Sequence, residues 1–447
     1  MKTSFKVAVL LTVFTMLLTA CATPAAPEAP AAPEAPAAPA APEAPAATEA
    51  PAASDEKIEL VMWEQSAEWR IKAQQLTIDA FEATHPNVTI KIESFPFVEY
   101  QTKINTSIKA GTAADIITVV GQWAVPMIEA GMIAEVPAEV LSVETLKADY
   151  WAGPANEAIV NGKVYMVPNI TTMGTGGLVY NEDLLTEAGV PIPPTFSTWE
   201  EVMEAAKKCT KFDADGKMTQ AGYSAHGVLE SFLFGALVLQ EGQQIIKDGQ
   251  IAFNNEGGLA ALKAYQDIFQ KYKVDDAELI GGVDGFPQGR VCMMDIGAWA
   301  GQAAEISNPD IKVGYGDPLP SINPDFPTYS QMDTAWQFIV PESSKNKEMV
   351  WEFLKFYVTN EQYVARVKLD GELPPLKSAA LAYKDDPTMD AYVKSAEFST
   401  YSGYKVDREK YNNTVNSYLQ LLARGDLTPE KALEGMTTDL NAILAGH

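Results

Sequence analysis

Histidine, cysteine and positive charge are all scarce in this chain. The three histidines, His85, His226 and His447, are scattered and stand apart from any cysteine or carboxylate cluster. Neither a metal centre nor a Ser-His triad therefore has a visible framework. The hydrolase elbow Gly-x-Ser-x-Gly, the phosphate loop Gly-x-x-x-x-Gly-Lys-[Ser/Thr] and the zincin motif His-Glu-x-x-His are all absent. No cofactor is expected. A two-carboxylate hydrolase is not removed by counting, because acidic residues abound, but nothing selects a pair. Lysine and arginine total 33 against 59 acidic residues, a net charge of −26. Nucleic acid is excluded as a partner, since a basic face supplies most of that affinity. A bare anionic membrane is a poor match too, and acidity on this scale reports solubility. After the first twenty residues no segment is long and apolar enough to cross a bilayer.

What is present begins with Lys2 and Lys6, an apolar run from Val7 to Leu18, and Leu18-Thr19-Ala20-Cys21. Residues 1–20 read as a signal peptide. The Leu-Thr-Ala-Cys ending resembles a bacterial lipobox, which implies that Cys21 is lipidated and anchors the chain to the outer or periplasmic side of a cell membrane. Residues 22–54 repeat Ala-Pro-Glu-Ala-Pro-Ala-Ala-Pro. That composition buries no core and favours extended polyproline II, a tether of up to roughly 100 Å. Of the remaining cysteines, Cys209 closes an amphipathic helix and Cys292 sits in an apolar strand. An oxidising compartment admits a disulfide, but the expectation is two unlinked thiols.

From Ile58 onward strand and helix alternate. Ile58 to Met62 is apolar, and the following helix carries Ala73, Leu76, Ala80 and Phe81 on one face. Val88 to Ile92 alternates, Asp115 to Val119 reads as a buried strand, and Trp123 to Ala130 as the next helix. Such repetition implies a mostly parallel sheet covered on both faces. A second block follows the turn Asn161-Gly162-Lys163. It contains a capping box, Thr198-Trp199-Glu200-Glu201, a helix with Leu262, Tyr265, Phe269 and Tyr272, and a strand from Val291 to Ile296. Strand-like pieces return at 311–320 and 336–340, and Val350, Phe353, Leu354 and Tyr357 mark a late helix. The pattern predicts two α/β lobes joined by several crossings with a cleft between them. One lobe takes residues 58–165 plus about 315–355, the other 166–314 plus about 356–447.

Ligands of such sheets collect beyond the carboxyl ends of the strands. Trp63, Trp123 and Trp299 each stand just past an apolar run, and Trp299 is surrounded by Ala298, Ala300 and Gly301. A pyranose offers apolar C–H faces to aromatic rings and hydroxyls to planar polar groups. That mixture recurs in Trp63-Glu64-Gln65, in Gln122-Trp123, in Asn169 with Thr172, and in Asp333 with Trp336. A site that bonds each hydroxyl rejects analogues lacking one.

Further markers carry a family resemblance. They are Asn161-Gly162-Lys163-Val164-Tyr165 with Pro168, Val179-Tyr180-Asn181-Glu182-Asp183-Leu184-Leu185, Phe286-Pro287-Gln288-Gly289-Arg290, and Gly371-Glu372-Leu373-Pro374-Pro375. Their order resembles the extracellular solute-binding lipoproteins of carbohydrate ABC importers, the family that includes maltose-binding protein. The resemblance implies a type II periplasmic-binding-protein fold that closes on a sugar, most simply an oligosaccharide, and delivers it to permease subunits. It also implies a monomer that is not an enzyme. Trp299 falls where similar proteins stack a sugar, and Glu64, Gln65, Asn169, Thr172, Glu230 and Phe232 fall near their contacts. Two departures stand out: Gly121-Gln122 replaces a frequent Asp, and Met332-Asp333-Thr334-Ala335-Trp336 replaces paired glycines. The rival readings are a receptor for a cationic or other non-sugar solute, a sensor-linked receptor, and a secreted glycosidase.

Overall fold

Strand and helix alternate through the first third of the computed structural model, which describes residues 56–227, 230–331, 334–400 and 408–446. Cys21 and Asp333 lie outside the described residues. In chain order the architecture begins with β1 (Ile58–Gln65), α1 (Glu68–Glu82), β2 (Val88–Phe95), α2 (Phe97–Ala110), β3 (Ile116–Val120) and α3 (Gly121–Glu129). It continues with α4 (Ala152–Ala158), β4 (Val167–Thr172), β5 (Leu178–Asn181), α5 (Trp199–Cys209), α6 (Glu230–Gln240) and α7 (Glu256–Gln270). It ends with β6 (Met293–Asp295), α8 (Trp299–Ser307), β7 (Val313–Gly316), β8 (Thr334–Ile339), α9 (Lys347–Tyr357), α10 (Asn360–Asp370), α11 (Arg408–Arg424) and α12 (Pro429–Leu444). Among the described residues no helix is long and apolar enough to cross a membrane.

Local chemistry sets several boundaries. At the start of α5, Thr198 Oγ1 accepts from the Glu201 amide at 3.2 Å, and the Glu201 carboxylate accepts from the Ser197 amide at 2.6 Å. One donor that the helix start leaves unpaired, the Glu201 amide, is thereby satisfied, and the glutamate in return holds the residue before the cap. Asn161 and Gly162 both have positive φ, 51° and 80°, as a two-residue hairpin turn requires.

The first sheet has the order β2-β1-β3-β8-β4. Strand β1 is parallel to β2 and β3, while β8 runs antiparallel to β3 and β4. All five residues of β3 are buried, as befits a central strand covered on both faces. Leu60, Ile90, Ile117, Phe338 and Phe353 belong to its core. The second sheet, β6-β5-β7, is antiparallel throughout, over a core that includes Val202, Leu237, Tyr265, Leu419 and Met436. The expected parallel arrangement thus extends only to the first lobe. A short apolar run reports burial and carries no record of strand direction.

The expected lobe boundaries shift as well. Strand β4 belongs to the first sheet, and α10 packs on α1 and sends Tyr363 into the first core. Strand β7 completes the second sheet. The crossings therefore begin after Thr172, and the glycines there permit close approach. A Cβ on Gly174 would lie 2.5 Å from the Phe232 ring, and one on Gly177 would lie 2.4 Å from Tyr392. Tyr392 donates to the Ile296 carbonyl at 2.7 Å. It shares a small junction cluster with Met173, Ala298 and Leu373.

Two expectations are corrected outright. Cys209 and Cys292 form a disulfide. The end of α5 and the approach to β6 are brought together across 83 residues of sequence, a proximity that linear pattern does not record. Leu76 is 40% exposed, whereas Gln74 and Thr77 are buried on α1. A polar demand turns the helix: Gln74 donates to Glu64 at 3.1 Å and accepts from Tyr357 at 2.7 Å.

Candidate functional site

Because β1, β2 and β3 are parallel and β8 is antiparallel to both β3 and β4, strands β1 to β4 all finish on one edge of the first sheet. Gln65, Phe95, Val120 and Thr172 mark that edge, and β8 starts there at Thr334. It is also where the chain leaves for the second lobe after Thr172. Strand-end chemistry and inter-lobe crossings thus coincide, the expected location for a ligand in an α/β protein.

An aromatic series runs along this edge. Trp63 meets Phe95 edge-on with ring centroids 5.5 Å apart, and Phe95 stacks with Tyr100 at 6.0 Å. Trp123 follows at 6.5 Å from Tyr100 and 6.0 Å from Trp336. The three strand-exit tryptophans fare differently. Trp63 is buried at 4% exposure, with its indole N–H donated to Glu93 at 2.9 Å and the Lys103 ammonium 4.4 Å from its ring. Its expected role as a platform is therefore corrected: neighbours on both adjoining elements cover it. Trp123 and Trp299 remain partly exposed.

Glu64 is also behind the wall, fully buried. Its carboxylate accepts from the Gln65 amide at 2.8 Å, Thr118 at 2.8 Å and Gln74 at 3.1 Å. Burial pushes this carboxyl up, against the lowering influence of Arg70 and those donors. Asn169 is likewise enclosed, its Oδ1 accepting from Tyr357 at 2.5 Å and Arg366 at 3.2 Å. These two residues shape the edge from behind instead of presenting polar tips to it.

The group that does reach the edge is Arg70, which the sequence reading passed over. Its guanidinium lies 4.2 Å from the Trp336 ring centroid. It donates to Glu372 at 2.9 Å and to Gln65 at 3.3 Å. Residue 371 then ties this wall to the second lobe, since a Cβ on Gly371 would meet the Gln302 amide at 2.4 Å. Gln302 stands on α8, whose first residue is Trp299. The Trp299 ring in turn rests beside Gly297, which also abuts the Met173 carbonyl at the crossing. Gln65, Arg70, Trp336 and Glu372 are consequently linked by direct contacts, and Gly371 brings Gln302, one turn along α8 from Trp299, up to them.

The second lobe contributes α6 and a recess near it. Phe232 packs on Gly174, and Glu230 accepts from the Gly227 amide at 3.0 Å. Burial pushes Glu230 up to about 7. A small solvent-open recess is lined in part by Ser224, His226, Leu233 and Asp295. Asp295 accepts from the amides of Gly176 and Gly177 at 2.7 and 3.3 Å, yet burial raises it to about 6. Both ring nitrogens of His226 face acceptors, Asp275 Oδ2 at 2.7 Å and the Leu279 carbonyl at 2.9 Å. A neutral imidazole donates from only one nitrogen, so this geometry holds an imidazolium. Burial opposes that charge, but the Asp275 bond and charge outweigh it and lift the group to about 9.

Among the described residues, buried polar atoms around this edge without a protein partner include Trp69 Nε1, Arg70 Nε, Thr172 Oγ1, Trp299 Nε1 and Gln302 Oε1. Buried polar groups are normally paired, and an unpaired one costs about 1–3 kcal/mol. Trp69 and Arg70 were accessible to the strand-exit argument, because they open the helix directly after β1. Glu372 and Gln302 were not, since their contacts close only in three dimensions. The departure at Gly121 also finds its cause: a Cβ there would lie 2.5 Å from the Glu157 carboxyl carbon. Glu157 from α4 brings its carboxyl to the start of α3, beside the strand exit.

The family model for bacterial extracellular solute-binding proteins matches residues 66–364. A galactooligosaccharide-binding protein of Bacillus subtilis is 25% identical over 396 residues, spanning 85% of this chain and 88% of its own. Among solved structures, the cyclic alpha-maltosyl-1,6-maltose binding protein from Arthrobacter globiformis is similar with a TM-score of 0.69 at 20% identity, covering 88% of this chain and 100% of that one. A sugar-binding protein from Xanthomonas citri also gives 0.69, at 18% identity, covering 87% and 98%. At such identities the structural likeness speaks for the fold alone. With the family model matched over most of the described residues and the two sheets arranged as described, the chain belongs to the bacterial extracellular solute-binding proteins, in their two-lobed type II form.

Proposed function

We propose that this chain captures a neutral oligosaccharide outside the cytoplasm by closure of its lobes and passes it to the permease subunits of an ABC importer. It acts as a monomer tethered through a lipid on Cys21. The observation that carries the reading is the meeting of partly exposed indoles with donors and acceptors that, among the described residues, have no partner around one sheet edge. A hydroxylated ring suits both, offering apolar faces to Trp123 and Trp299 and hydroxyls to Gln65, Arg70, Thr172 and Gln302. By their places at the strand exit and the crossing, Gln122 and Phe232 are proposed for the same site, with Trp336 behind Arg70. The Bacillus subtilis relative is named for galactooligosaccharides and the Arthrobacter globiformis structure for a cyclic maltooligosaccharide, which supports the same ligand class.

Charge at the edge favours a neutral guest over a cationic one. The Arg70 guanidinium offsets Glu372 at 2.9 Å, and a cation would meet it directly. Binding without bond cleavage fits the commitment of Glu64 and Glu372 to contacts inside the wall. A ligand shifts such a protein toward closure only by its differential affinity for the closed form. Calorimetry against galacto- and maltooligosaccharides alongside polyamines tests the assignment. Saturable binding of an oligosaccharide that is recovered intact after long incubation is the expected result. Binding confined to polyamines, or steady release of shortened sugars, refutes it.

A further inference from the structure

One aromatic ring on the first-lobe wall is unaccounted for. Phe97 opens α2, immediately after Pro96. Together with Tyr100, Ile104 and Ile108 it forms one helical stripe. The last three are buried, at 0%, 1% and 6%, whereas Phe97 is 48% exposed. The stripe therefore overruns the core and leaves its final ring projecting at the sheet edge. That ring is anchored from below: its centroid lies 5.5 Å from Trp123 and 6.3 Å from Trp336. Trp336 carries Arg70 at 4.2 Å, so Phe97 is continuous with the polar part of the site.

We propose that Phe97 is an outer stacking subsite that engages a sugar unit beyond those held at Arg70 and Trp299, and so sets a preference for longer oligosaccharides. The inference rests on the carbohydrate reading above. A short ligand fills the inner contacts and never reaches α2. A longer one places an additional pyranose over the projecting phenyl, which needs no reorganisation because Pro96 and the two indoles hold it. The phenyl face offers the apolar C–H side of that pyranose a partner, and the effect expected is about a two- to tenfold change in affinity for ligands long enough to reach it.

The test is calorimetry on the protein and on Phe97→Ala with galacto- and maltooligosaccharides of one to six units. Phe97→Trp serves as the aromatic replacement. The expected result is unchanged affinity of Phe97→Ala for the shortest sugars that bind, a two- to tenfold loss for longer ones, and recovery in Phe97→Trp. Equal losses at every length, or none at any length, overturn the subsite while leaving the carbohydrate reading intact. Failure of the unaltered protein to bind any member of the series overturns both. Circular dichroism on Phe97→Ala separates an unfolded variant from a weakened one, and Phe97→Tyr then supplies the length comparison.

Discussion

Removing the Arg70 guanidinium should expose how tightly the first wall of the cleft is strung. Arg70 and Glu372 pair at 2.9 Å with only 9% and 2% of their side chains exposed. Arg70→Leu would leave Glu372 as a buried, uncompensated carboxylate and strip the cation from the Trp336 face. Breaking such a pair from one side costs about 3–5 kcal/mol. Unfolding entropy near 2.1 cal/mol/K per residue, over a compact unit of roughly 390 residues, gives about 0.8 kcal/mol/K. The melting temperature of Arg70→Leu should therefore fall by about 4–6 °C. The double variant Arg70→Leu, Glu372→Leu removes both charges and should lose less than the single, because no orphaned ion remains. Differential scanning calorimetry on both variants decides the matter. A single-variant drop below about 1 °C, or a double variant worse than the single, refutes the claim that desolvated charge organises this wall.

Other consequences are separable from that one. Trp299→Ala should weaken oligosaccharide binding at least about tenfold while shifting the melting temperature little; a large melting drop would make Trp299 a core residue. Cys209→Ala with Cys292→Ala should cost about 4–5 kcal/mol on chain-entropy grounds for an 83-residue separation, and denaturant titration under non-reducing conditions measures it. Glu230 has its folded value raised to about 7, so its contribution to stability is complete below the unfolded carboxylate range and vanishes as pH climbs through 7. Stability should thus decline between pH 5 and 8, and Glu230→Gln should remove up to about 3 kcal/mol of that decline. An unchanged pH slope in the variant rejects the burial assigned to Glu230.

How far the sequence could be read depended on the range of each interaction. The edge of the first sheet was legible because a strand exit is a local event: an apolar run stops, and Gln65, Trp123 or Thr172 follows. The same logic, applied one turn further, reaches Trp69, Arg70 and Phe97. It misled at Trp63 and Glu64, since a residue near the end of a strand can face either side. Burial by β2 and α1 turned both inward. The disulfide was missed for a related reason, as proximity between α5 and β6 is a property of the folded lobe alone.

By itself the sequence determined the alternation of strand and helix, the capping of α5, the turn at Asn161-Gly162 and the collection of polar and aromatic residues at strand ends. Each depends on spacing within a few residues, which the chain carries whether folded or not. The tertiary structure alone decided strand direction in the second lobe, the Cys209–Cys292 link, and which tryptophans stay open. It also decided the pairing of Arg70 with Glu372 and the approach of Gly371 to Gln302. Those outcomes require segments up to 302 positions apart to meet, and only the packing of two cores around shared crossings brings them together.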